Sequence, residues 1–533
     1  MLHIDYSDPA NRTLGKILQL NAELRGDHPY LIEDGRTWTY SQANDHVNQL
    51  ARGLLARGVS RGDHIAFYMH SSAEVVMLVL AAAKLGAIWI PINTDYVGRW
   101  LEEAIASSRA KAVVTQMDLW PRLEPAIQNL PPELLIVTDA PPAGPLLTID
   151  AITSDDRTNP DISSISLGDD CAILWTSGTT GKSKGVLQSH NVWIRAALAG
   201  SDGEGSQDDI FYNVLPLYNS AAWTLNIFRS LVRGASCAFD QHFSASNFWE
   251  RTRHFGATQA ATLGAMHIFL WRQPERDDDR DNPVKAGAMI PMPDTVLGPF
   301  RERFGIERIE QGFGQSEALL AFHRTDDSDQ SWPAGSLGQM LDDMEVRLVD
   351  DDGKDVPVGE VGEFCLRAKT PHCLFNGYFN EPEATAESYF GEWYRMGDLG
   401  RCDENGHFYF VDRKKDAVRH KGRNISTLEV ESVIRPHPDV ADAAAFGIRS
   451  DDLASESELA IQVVLKPDSR LTHEELAAFI NANAPHYFVP RFIEFVTSLP
   501  YTPTNKVQKF LLRERGVGPH TWDLTKSEYT VVR

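Results

Sequence analysis

Cysteine is scarce in this chain, and its few cysteines are not arranged in pairs. The 533 residues include five cysteines, an odd number, and no two of them form a C-x-x-C motif. Both a disulfide framework and a zinc knuckle are therefore disfavoured. We expect reduced, buried thiols in a cytosolic protein at Cys171, Cys237, Cys365, Cys373 and Cys402.

Basic residues are also in the minority. Lys and Arg number 51 against 74 Asp and Glu, which gives a net charge of −23. Nucleic-acid binding requires concentrated Lys and Arg, so the composition argues against nucleic acid as a main partner. A nucleotide substrate remains compatible with it, because such a site needs only a few local donors. We interpret the acidic surplus as a solvated surface.

Long apolar runs are missing as well. The longest, residues 75–92, is broken by Lys84 and Gly86 and ended by Pro91, so it predicts a helix, a turn and a strand instead of a membrane span. The first eight residues lack the basic start and apolar run of a signal peptide. We therefore expect a cytoplasmic protein without a membrane span.

The length exceeds that of one simple domain, and the pattern of elements predicts an α/β fold. Helical and strand patterns alternate from about residue 30 to 240, which indicates parallel sheets covered by helices. From Gly335 onward a hairpin-rich section follows. We expect a large multi-layer N-terminal domain with parallel sheets and a β-rich subdomain over residues 1–413, and a small mobile α+β C-terminal domain over 414–533. Predicted helices lie at 41–57 (with Ser41 as N-cap), 73–85, 101–108, 428–433 and 472–481, and predicted strands at 64–69, 87–92, 112–115, 172–175, 443–446 and 461–465.

A glycine-rich loop directly follows the predicted strand 172–175. Residues 176–185 read Thr-Ser-Gly-Thr-Thr-Gly-Lys-Ser-Lys-Gly. The glycines let the backbone approach a phosphate, and the hydroxyl, ammonium and backbone N–H groups can donate to it. Gly181-Lys182-Ser183 fits the end of a Walker loop, but Thr176 stands where that motif requires its first glycine. The segment predicts a phosphate-binding loop of another kind.

This loop resembles the phosphate loop of the adenylate-forming superfamily, which includes acyl-CoA synthetases, non-ribosomal peptide adenylation domains and firefly luciferase. Further segments similar to that superfamily follow in its order. Within it, the chain looks most like the carnitine/crotonobetaine-CoA ligase group. The matching segments are 84–93, 312–317, 394–398, 412–425 and 503–509.

The resemblance implies an acid–CoA ligase. Such an enzyme joins a carboxylate to the α-phosphate of ATP, releases pyrophosphate, and then transfers the acyl group to CoA with release of AMP. It implies Mg²⁺ as cofactor, a small organic carboxylic acid, ATP and CoA as ligands, and leaves a homodimer as an open alternative to a monomer.

The resemblance also implies roles for individual residues. Lys506 matches the catalytic lysine, Lys421 the loop lining the thiol tunnel, and Lys415 the hinge on which the small domain rotates between half-reactions. Glu317 and Thr176 would hold Mg²⁺. The implied nucleotide-binding residues are Thr176, Ser177, Gly178, Thr179, Thr180, Gly181, Lys184, Gly287, Ala288, Gln311, Gly312, Phe313, Gly314, Gln315, Ser316, Asp398 and Arg413. We expect the acyl pocket at Trp193, Asn219, Trp223 and Gly264.

The chain departs from the superfamily pattern at three positions. Asn219 replaces a common histidine, Arg423 a common glutamate and Asn505 a common glycine. Two other functions therefore stay open. One is an adenylating enzyme that hands its acyl group to a carrier-protein thiol or to another nucleophile such as an amine. The other is an idle nucleotide-binding protein.

Overall fold

The computed structural model describes residues 3–128, 133–139, 146–176, 184–199, 206–327, 332–414, 416–420, 423–449, 457–484, 486–501 and 506–531. The chain forms two compact units. The described first unit runs to Thr176 and adds Lys184–Glu345 and Arg367–Glu387, whereas Val346–Leu366 and the residues from Ser388 onward form the second. Strands before residue 413 thus group with the C-terminal residues, and the boundary between 413 and 414 stays a prediction.

The strands are numbered in chain order. They are β1 (Pro29–Glu33), β2 (Arg36–Thr39), β3 (His64–Tyr68), β4 (Ile88–Pro91), β5 (Ala112–Thr115), β6 (Leu134–Val137), β7 (Leu147–Thr148), β8 (Asp170–Thr176), β9 (Lys184–Ser189), β10 (Ile210–Asn213), β11 (Ser236–Phe239), β12 (Gln259–Leu263), β13 (Ala286–Ile290), β14 (Arg308–Phe313), β15 (Phe322–Asp326), β16 (Gln339–Met340), β17 (Met344–Val349), β18 (Gly362–Ala368), β19 (Gly377–Tyr378), β20 (Tyr389–Phe390), β21 (Trp393–Cys402), β22 (Phe408–Arg413), β23 (Val418–His420), β24 (Arg423–Ile425), β25 (Val440–Arg449), β26 (Ser457–Leu465), β27 (Phe492–Val496) and β28 (Trp522–Asp523).

The helices cover the sheets. They are α1 (Leu14–Arg25), α2 (Tyr40–Ala56), α3 (Ala73–Leu85), α4 (Arg99–Ser108), α5 (Trp120–Ile127), α6 (Ile149–Ile152), α7 (His190–Leu198), α8 (Ser220–Ala222), α9 (Phe228–Arg233), α10 (Phe248–Phe255), α11 (Ala265–Trp271), α12 (Asp294–Phe304), α13 (Pro382–Glu387), α14 (Thr427–Ile434), α15 (His473–Asn483) and α16 (Lys509–Arg515), with a π-helical turn at Trp223–Ile227 and short 3₁₀ turns at Pro9–Asn11, His486–Phe488 and Leu524–Lys526.

Two large sheets build the first unit. One has the order β19-β9-β8-β4-β3-β5-β6-β7, and β3 pairs in parallel with both β4 and β5. The other has the order β16-β15-β14-β13-β12-β10-β11-β1-β2, with parallel pairing from β1 through β11, β10, β12, β13 and β14. The predicted α/β class with parallel sheets is confirmed.

Helix α2 begins one residue before the predicted start, and its cap differs from the predicted one. It begins at Tyr40, and the side chain of Thr39 accepts a hydrogen bond from the backbone of Gln42. The Gln42 side chain in turn accepts from the Thr39 backbone, so both donors at this helix end are satisfied by a capping box. The prediction that Ser41 caps this helix was wrong. Thr39 supplies the capping hydroxyl, and Gln42 stands three positions later, as a capping box requires.

Lys84, the first residue of the early superfamily-like segment, is a structural residue. Only 1% of its surface is exposed, and its Nζ lies 2.6–2.9 Å from the side-chain oxygens of Asn44, Asn48 and Asn159. Burial lowers the pKa of Lys84 to about 7. The three amide oxygens supply the hydrogen-bond acceptors that a buried ammonium requires.

The second unit combines three sheets with helices. Strands β17, β18, β21, β20 and β22 form a five-stranded sheet that falls mostly in this unit, β23 and β24 form a hairpin, and β25-β26-β27-β28 form a mixed sheet. Helices α14 and α15 contribute Val430, Ile434, Leu476 and Ile480 to the core beneath the mixed sheet. A small C-terminal part of mixed sheet and helices agrees with the predicted fold class.

Within the described ranges, no helix is both long and apolar enough to cross a membrane. Four of the five cysteines are buried and Cys402 is partly exposed.

Candidate active site

Several predicted site residues meet at one edge of the nine-stranded sheet. Strands β10, β12, β13 and β14 are parallel neighbours, so their carboxyl ends lie at the same edge. Gly264 follows β12, Asn219 lies in the turn after β10, and 311–316 spans the end of β14 and the residues after it. In α/β sheets, ligands bind at this edge. The topology therefore gathers part of the predicted nucleotide and acyl sites.

Gly287 and Ala288 do not lie at this edge of the sheet. Both are buried inside β13, opposite Ile309 and Glu310 of β14. The residues beyond the strand end include Met292, whose backbone N–H donates to the Gln311 side chain at 2.8 Å. A role for Gly287 and Ala288 beside adenine stays a prediction.

Glu317 sits in a tight turn after β14. Leu319 has a φ of 56°, in the left-handed region that side chains rarely adopt. A Cβ on Gly314 would lie 2.4 Å from the Leu319 carbonyl oxygen, a backbone atom that has little freedom to move. The turn therefore requires glycine at 314.

This turn is held by residues that the sequence analysis did not single out. Arg195 of α7 donates from Nη1 to the carbonyl oxygens of Ala318 and Leu320 at 3.0 and 2.8 Å, and its other nitrogens bind Asp343 at 2.6 and 2.8 Å. Gln188 of β9 donates to the Ser316 carbonyl oxygen. These bonds fix the backbone on both sides of Glu317.

The Glu317 residue itself is bound twice from the segment 375–378. The Phe375 backbone N–H donates to its carbonyl oxygen at 2.7 Å, and the Tyr378 hydroxyl donates to its Oε1 at 2.8 Å. Glu317 is 8% exposed. The structure thus presents a largely buried carboxylate of fixed position at the sheet edge.

The glycine-rich loop joins two paired strands. Thr176, the last residue of β8, pairs with Lys184, the first of β9, in an antiparallel ladder. Lys184 Nζ lies 4.6 Å from the centroid of the Tyr378 ring. The predicted phosphate contacts at Ser177, Gly178, Thr179, Thr180 and Gly181 lie outside the described residues.

Trp193 and Trp223 occupy the core. Both have no exposed surface, and their rings pack at 5.2 and 4.8 Å from the ring of Trp89 and against Phe228. Their assignment to the acyl pocket stays a prediction, and their contacts in the structure are those of core residues.

Asn219 is half-buried and caps the short helix α8. Its Oδ1 accepts a hydrogen bond from the Ala221 backbone at 3.1 Å. The π-helical turn Trp223–Ile227 follows directly, a feature frequent at functional sites. The side-chain oxygen of Asn219 therefore accepts a local backbone hydrogen bond. An asparagine makes this bond as a neutral amide.

The second unit brings Asp398, Arg413 and Lys506 together. Asp398 of β21 is 8% exposed and pairs directly with Arg413, the last residue of β22. Although Lys506 as a residue is solvent-exposed, desolvation of its ammonium lowers its pKa, nearby Arg413 lowers it further, and Asp398 opposes the shift. Three of the predicted site residues are therefore electrostatic neighbours.

A buried network lies beside this group. The Asp412 carboxylate accepts from the backbone and hydroxyl of Thr427 at 2.6 and 2.7 Å. The Lys509 ammonium lies 2.6 Å from the same hydroxyl and 2.8 Å from the Glu431 carboxylate. Strand β22 and the residues just after Lys506 are thereby tied to the start of α14.

Two predicted residues cannot be placed. Lys415 and Lys421 lie outside the described residues, and their hinge and thiol-tunnel roles stay predictions. The backbone of Arg423 pairs with His420 in the β23–β24 hairpin, which brackets 421–422.

A buried ion pair underlies β14. Glu310 precedes Gln311, and its Oε2 lies 2.7 Å from Nη1 of Arg229 on α9. The two side chains are 6% and 4% exposed. Burial alone would raise the pKa of Glu310, but Arg229, with His323 and Arg233, holds it below its ordinary value.

This pair predicts a pH-dependent contribution to stability. A carboxylate whose folded pKa lies below its unfolded value stabilises the fold above the unfolded value, and the contribution disappears as the pH falls through the folded pKa. We expect the difference in free energy of unfolding between the wild type and Glu310→Gln to narrow as the pH falls below 4.5, the ordinary glutamate value. Urea titrations between pH 7 and 3 would measure it, and a constant difference would contradict an ionised Glu310.

Comparison with known proteins places these features in a family. The model of the family described as AMP-binding enzyme matches residues 18–379, and that of the AMP-binding enzyme C-terminal domain matches 429–506. The first match covers more than half of the chain.

Individual relatives agree with this match. The chain is 27% identical over 502 residues to a crotonobetaine/carnitine–CoA ligase of Salmonella agona, covering 92% of this chain and 96% of that protein. It is similar to the crystal structure of an anthranilate CoA ligase in complex with anthranoyl-AMP, with 26% identity, a TM-score of 0.80, and coverage of 96% and 98% of the two chains. An amide bond synthetase from Marinactinospora thermotolerans shares the fold at a TM-score of 0.78 and 23% identity, over 94% of this chain and 99% of its own. The likeness to adenylate-forming enzymes inferred from the motifs is confirmed, and the chain belongs to the AMP-binding enzyme family.

Proposed function

We propose that this protein is an ATP-dependent acid–CoA ligase. A carboxylate oxygen of the acid forms a bond to the α-phosphorus of ATP while the bond from that phosphorus to pyrophosphate breaks. The CoA thiolate then attacks the acyl carbon, AMP leaves, and the thiol proton passes to solvent. The observation that carries the proposal is the grouping of Lys506, Asp398 and Arg413, a cation beside a carboxylate and a second cation.

Each of these residues has a role in the first half-reaction. The two reactants are both anions, so the protein must neutralise them and hold them in line. Lys506 would bridge the carboxylate and the α-phosphate, Asp398 would accept the ribose hydroxyls, and Arg413 would contact ribose or phosphate. Lys184 and the glycine-rich loop would bind the β- and γ-phosphates.

Glu317 fits a divalent cation. Its carboxylate is fixed by Tyr378 and is a hard oxygen ligand of the kind that Mg²⁺ prefers. In the described part of the chain no three His, Cys, Asp or Glu side chains gather to hold a metal. Mg²⁺ commonly uses one or two protein ligands together with substrate phosphates, which suits Glu317 with Thr176. Bound Mg²⁺ would neutralise phosphate charge.

We propose a small organic carboxylic acid as the substrate. Asn219 and Gly264 lie at the sheet edge, and the large aromatic residues packed in the neighbouring core leave little room for a long acyl chain. An amine or a carrier-protein thiol as acceptor is the second candidate. Arg423, in place of the glutamate usual in CoA-using relatives, favours it. Location in the cytoplasm and assembly as a homodimer stay predictions.

Pyrophosphate release tests the proposal. A panel of organic acids would be assayed with ATP and Mg²⁺, with and without CoA, and the products identified by mass spectrometry. Acid-dependent pyrophosphate with a CoA thioester is the expected result. Pyrophosphate and acyl-adenylate without a thioester would favour the second acceptor class, and no acid-dependent pyrophosphate would favour an idle nucleotide-binding protein.

We further propose that the residues after Lys415 rotate between the half-reactions, a gating motion that separates adenylation from thiol transfer. Lys415→Pro restricts the backbone at the hinge. We expect thioester formation to fall by at least about tenfold more than adenylate formation, a difference of roughly 1.4 kcal/mol in the barrier. Single-turnover assays of each half-reaction would measure this, and equal losses in both would contradict the hinge.

A further inference from the structure

Tyr378 contacts two of the groups predicted to bind MgATP. Its hydroxyl donates to Glu317 Oε1 at 2.8 Å, and Lys184 Nζ lies 4.6 Å from its ring centroid. A tyrosine can serve both neighbours at once, because the hydroxyl is a donor for an anion and the ring face attracts a cation. Neither contact was visible in the sequence motifs.

The fold gives Tyr378 a fixed position. It is the second residue of β19, a two-residue strand that pairs antiparallel with β9 and places Tyr378 opposite Val186, two residues from Lys184. The Tyr378 backbone N–H donates to the Thr385 hydroxyl at 2.8 Å. Its ring lies 4.9 Å from that of Phe375. The side chain is therefore aimed by the strand that leaves the glycine-rich loop.

The two contacts of Tyr378 join residues that belong to different large sheets. Lys184 starts β9, and Glu317 lies in the turn after β14 in the other large sheet. A rigid aromatic ring between them sets their spacing, and its hydroxyl orients the carboxylate. Groups that orient a metal-binding side chain in this way commonly contribute about 10- to 100-fold to metal affinity.

We propose that Tyr378 is a positioning residue for adenylation. Its hydroxyl holds the Glu317 carboxylate in the orientation that binds the metal of MgATP, and its ring holds the Lys184 ammonium toward the phosphates. The inference rests on the proposed function for the identity of the nucleotide site. It adds Tyr378 to that site and gives its hydroxyl and its ring separate roles.

Two variants separate the contacts. Tyr378→Phe removes the hydroxyl and keeps the ring, whereas Tyr378→Leu removes both. Tyr212→Phe is the matched control, since the Tyr212 hydroxyl also donates to a carboxylate in the first unit, that of Asp240, at 2.6 Å. The direct probe is Mn²⁺ with α,β-methylene-ATP, which cannot undergo cleavage between the α- and β-phosphates, followed by electron paramagnetic resonance.

For Tyr378→Phe we expect the Kd of Mn²⁺ in the nucleotide complex to rise by about tenfold, with the nucleotide Kd in the absence of metal changed less than about twofold. Tyr378→Leu should in addition weaken metal-free nucleotide binding, and Tyr212→Phe should leave both values within about twofold. Unchanged Mn²⁺ affinity in Tyr378→Phe would overturn the inference, as would failure of the wild type to bind Mn²⁺ with the nucleotide. If the wild type binds Mn²⁺ and the nucleotide but releases no acid-dependent pyrophosphate, the proposed function fails. The same titration still decides whether Tyr378 acts in metal–nucleotide binding.

Discussion

Replacing Lys506 with methionine should reduce acid-dependent pyrophosphate release by about 100- to 1000-fold, the loss usual when one charge-stabilising donor is removed from a reacting centre. Methionine keeps the length of the side chain and removes only the ammonium beside Asp398 and Arg413. Because we propose that this ammonium acts in the first half-reaction alone, conversion of added acyl-adenylate to thioester should stay within a few-fold of the wild type. Rapid-quench assays of the two half-reactions would measure both rates.

Lys526→Met is the control for this substitution. Its side chain is 82% exposed in the same unit, and its ammonium is 3.7 Å from Asp523. We expect both half-reactions to be unchanged. Equal losses in the two half-reactions of Lys506→Met would assign Lys506 a structural role and contradict the proposal.

The lowered pKa of Lys506 adds a second measurement. Since the proposed role requires the ammonium in its charged form, adenylation should decline on the basic side at a pH below the ordinary lysine value of about 10.4. In Lys506→Arg the cation does not titrate in this range, so the residual activity should lack that decline. A decline that persists in the arginine variant would belong to another group.

Replacing Arg195 with methionine should lower the free energy of unfolding by about 1.5–3 kcal/mol, because buried carbonyl acceptors lose a charged donor while the Asp343 side chain, 30% exposed, stays partly hydrated. The Arg195 side chain is 1% exposed, and its loss would leave Asp343 and the carbonyl oxygens of Ala318 and Leu320 without their arginine donor. Because those carbonyls belong to the turn that carries Glu317, adenylation should also fall at temperatures where the variant is still folded. Urea unfolding monitored by tryptophan fluorescence would give the stability.

Two comparisons make the Arg195 result specific. Arg99→Met removes an exposed pair, with side chains 87% and 55% exposed, and should change stability by less than about 1 kcal/mol. Arg195→Lys keeps the charge but lacks the forked guanidinium group that reaches Asp343 and both carbonyls. Its free energy of unfolding should therefore lie between those of Arg195→Met and the wild type. A methionine variant within about 1 kcal/mol of the wild type would show that the turn after β14 is held by other contacts.

Hydrophobic patterns predict the bounds of some elements of the first unit correctly. Helix α3 and strand β5 both have the predicted bounds, 73–85 and 112–115. These segments are buried on the faces that their patterns require, so local sequence and packing agree. The π-helical turn at Trp223–Ile227 has no such signal, because its extra residue depends on the surrounding core.

The site was harder to predict in its supporting residues than in its motifs. Tyr378 belongs to a strand of two residues, too short for any alternation to show, and its partners are distant in sequence. Arg195 did leave a signal, since it is a charged residue inside the otherwise apolar stretch of α7 and had to find a buried partner. Residue type alone suggests pocket roles for Trp193 and Trp223, but their packing around Trp89 depends on elements that are distant in sequence.

The turn that carries Asn219 is bonded differently from the turn that carries Glu317. Its hydrogen bonds run from Asn219 to Pro216, from Trp223 to Leu217, and from Tyr218 to Asp95. The Glu317 turn is held instead by Arg195, Gln188 and the segment 375–378. Among the bonds of described residues named here, no residue belongs to both sets. With the proposed acyl pocket at this turn, substitutions at 217–222 would change which acid is accepted and leave the bonds around Glu317 in place, which makes the turn a practical place to begin directed evolution of substrate range.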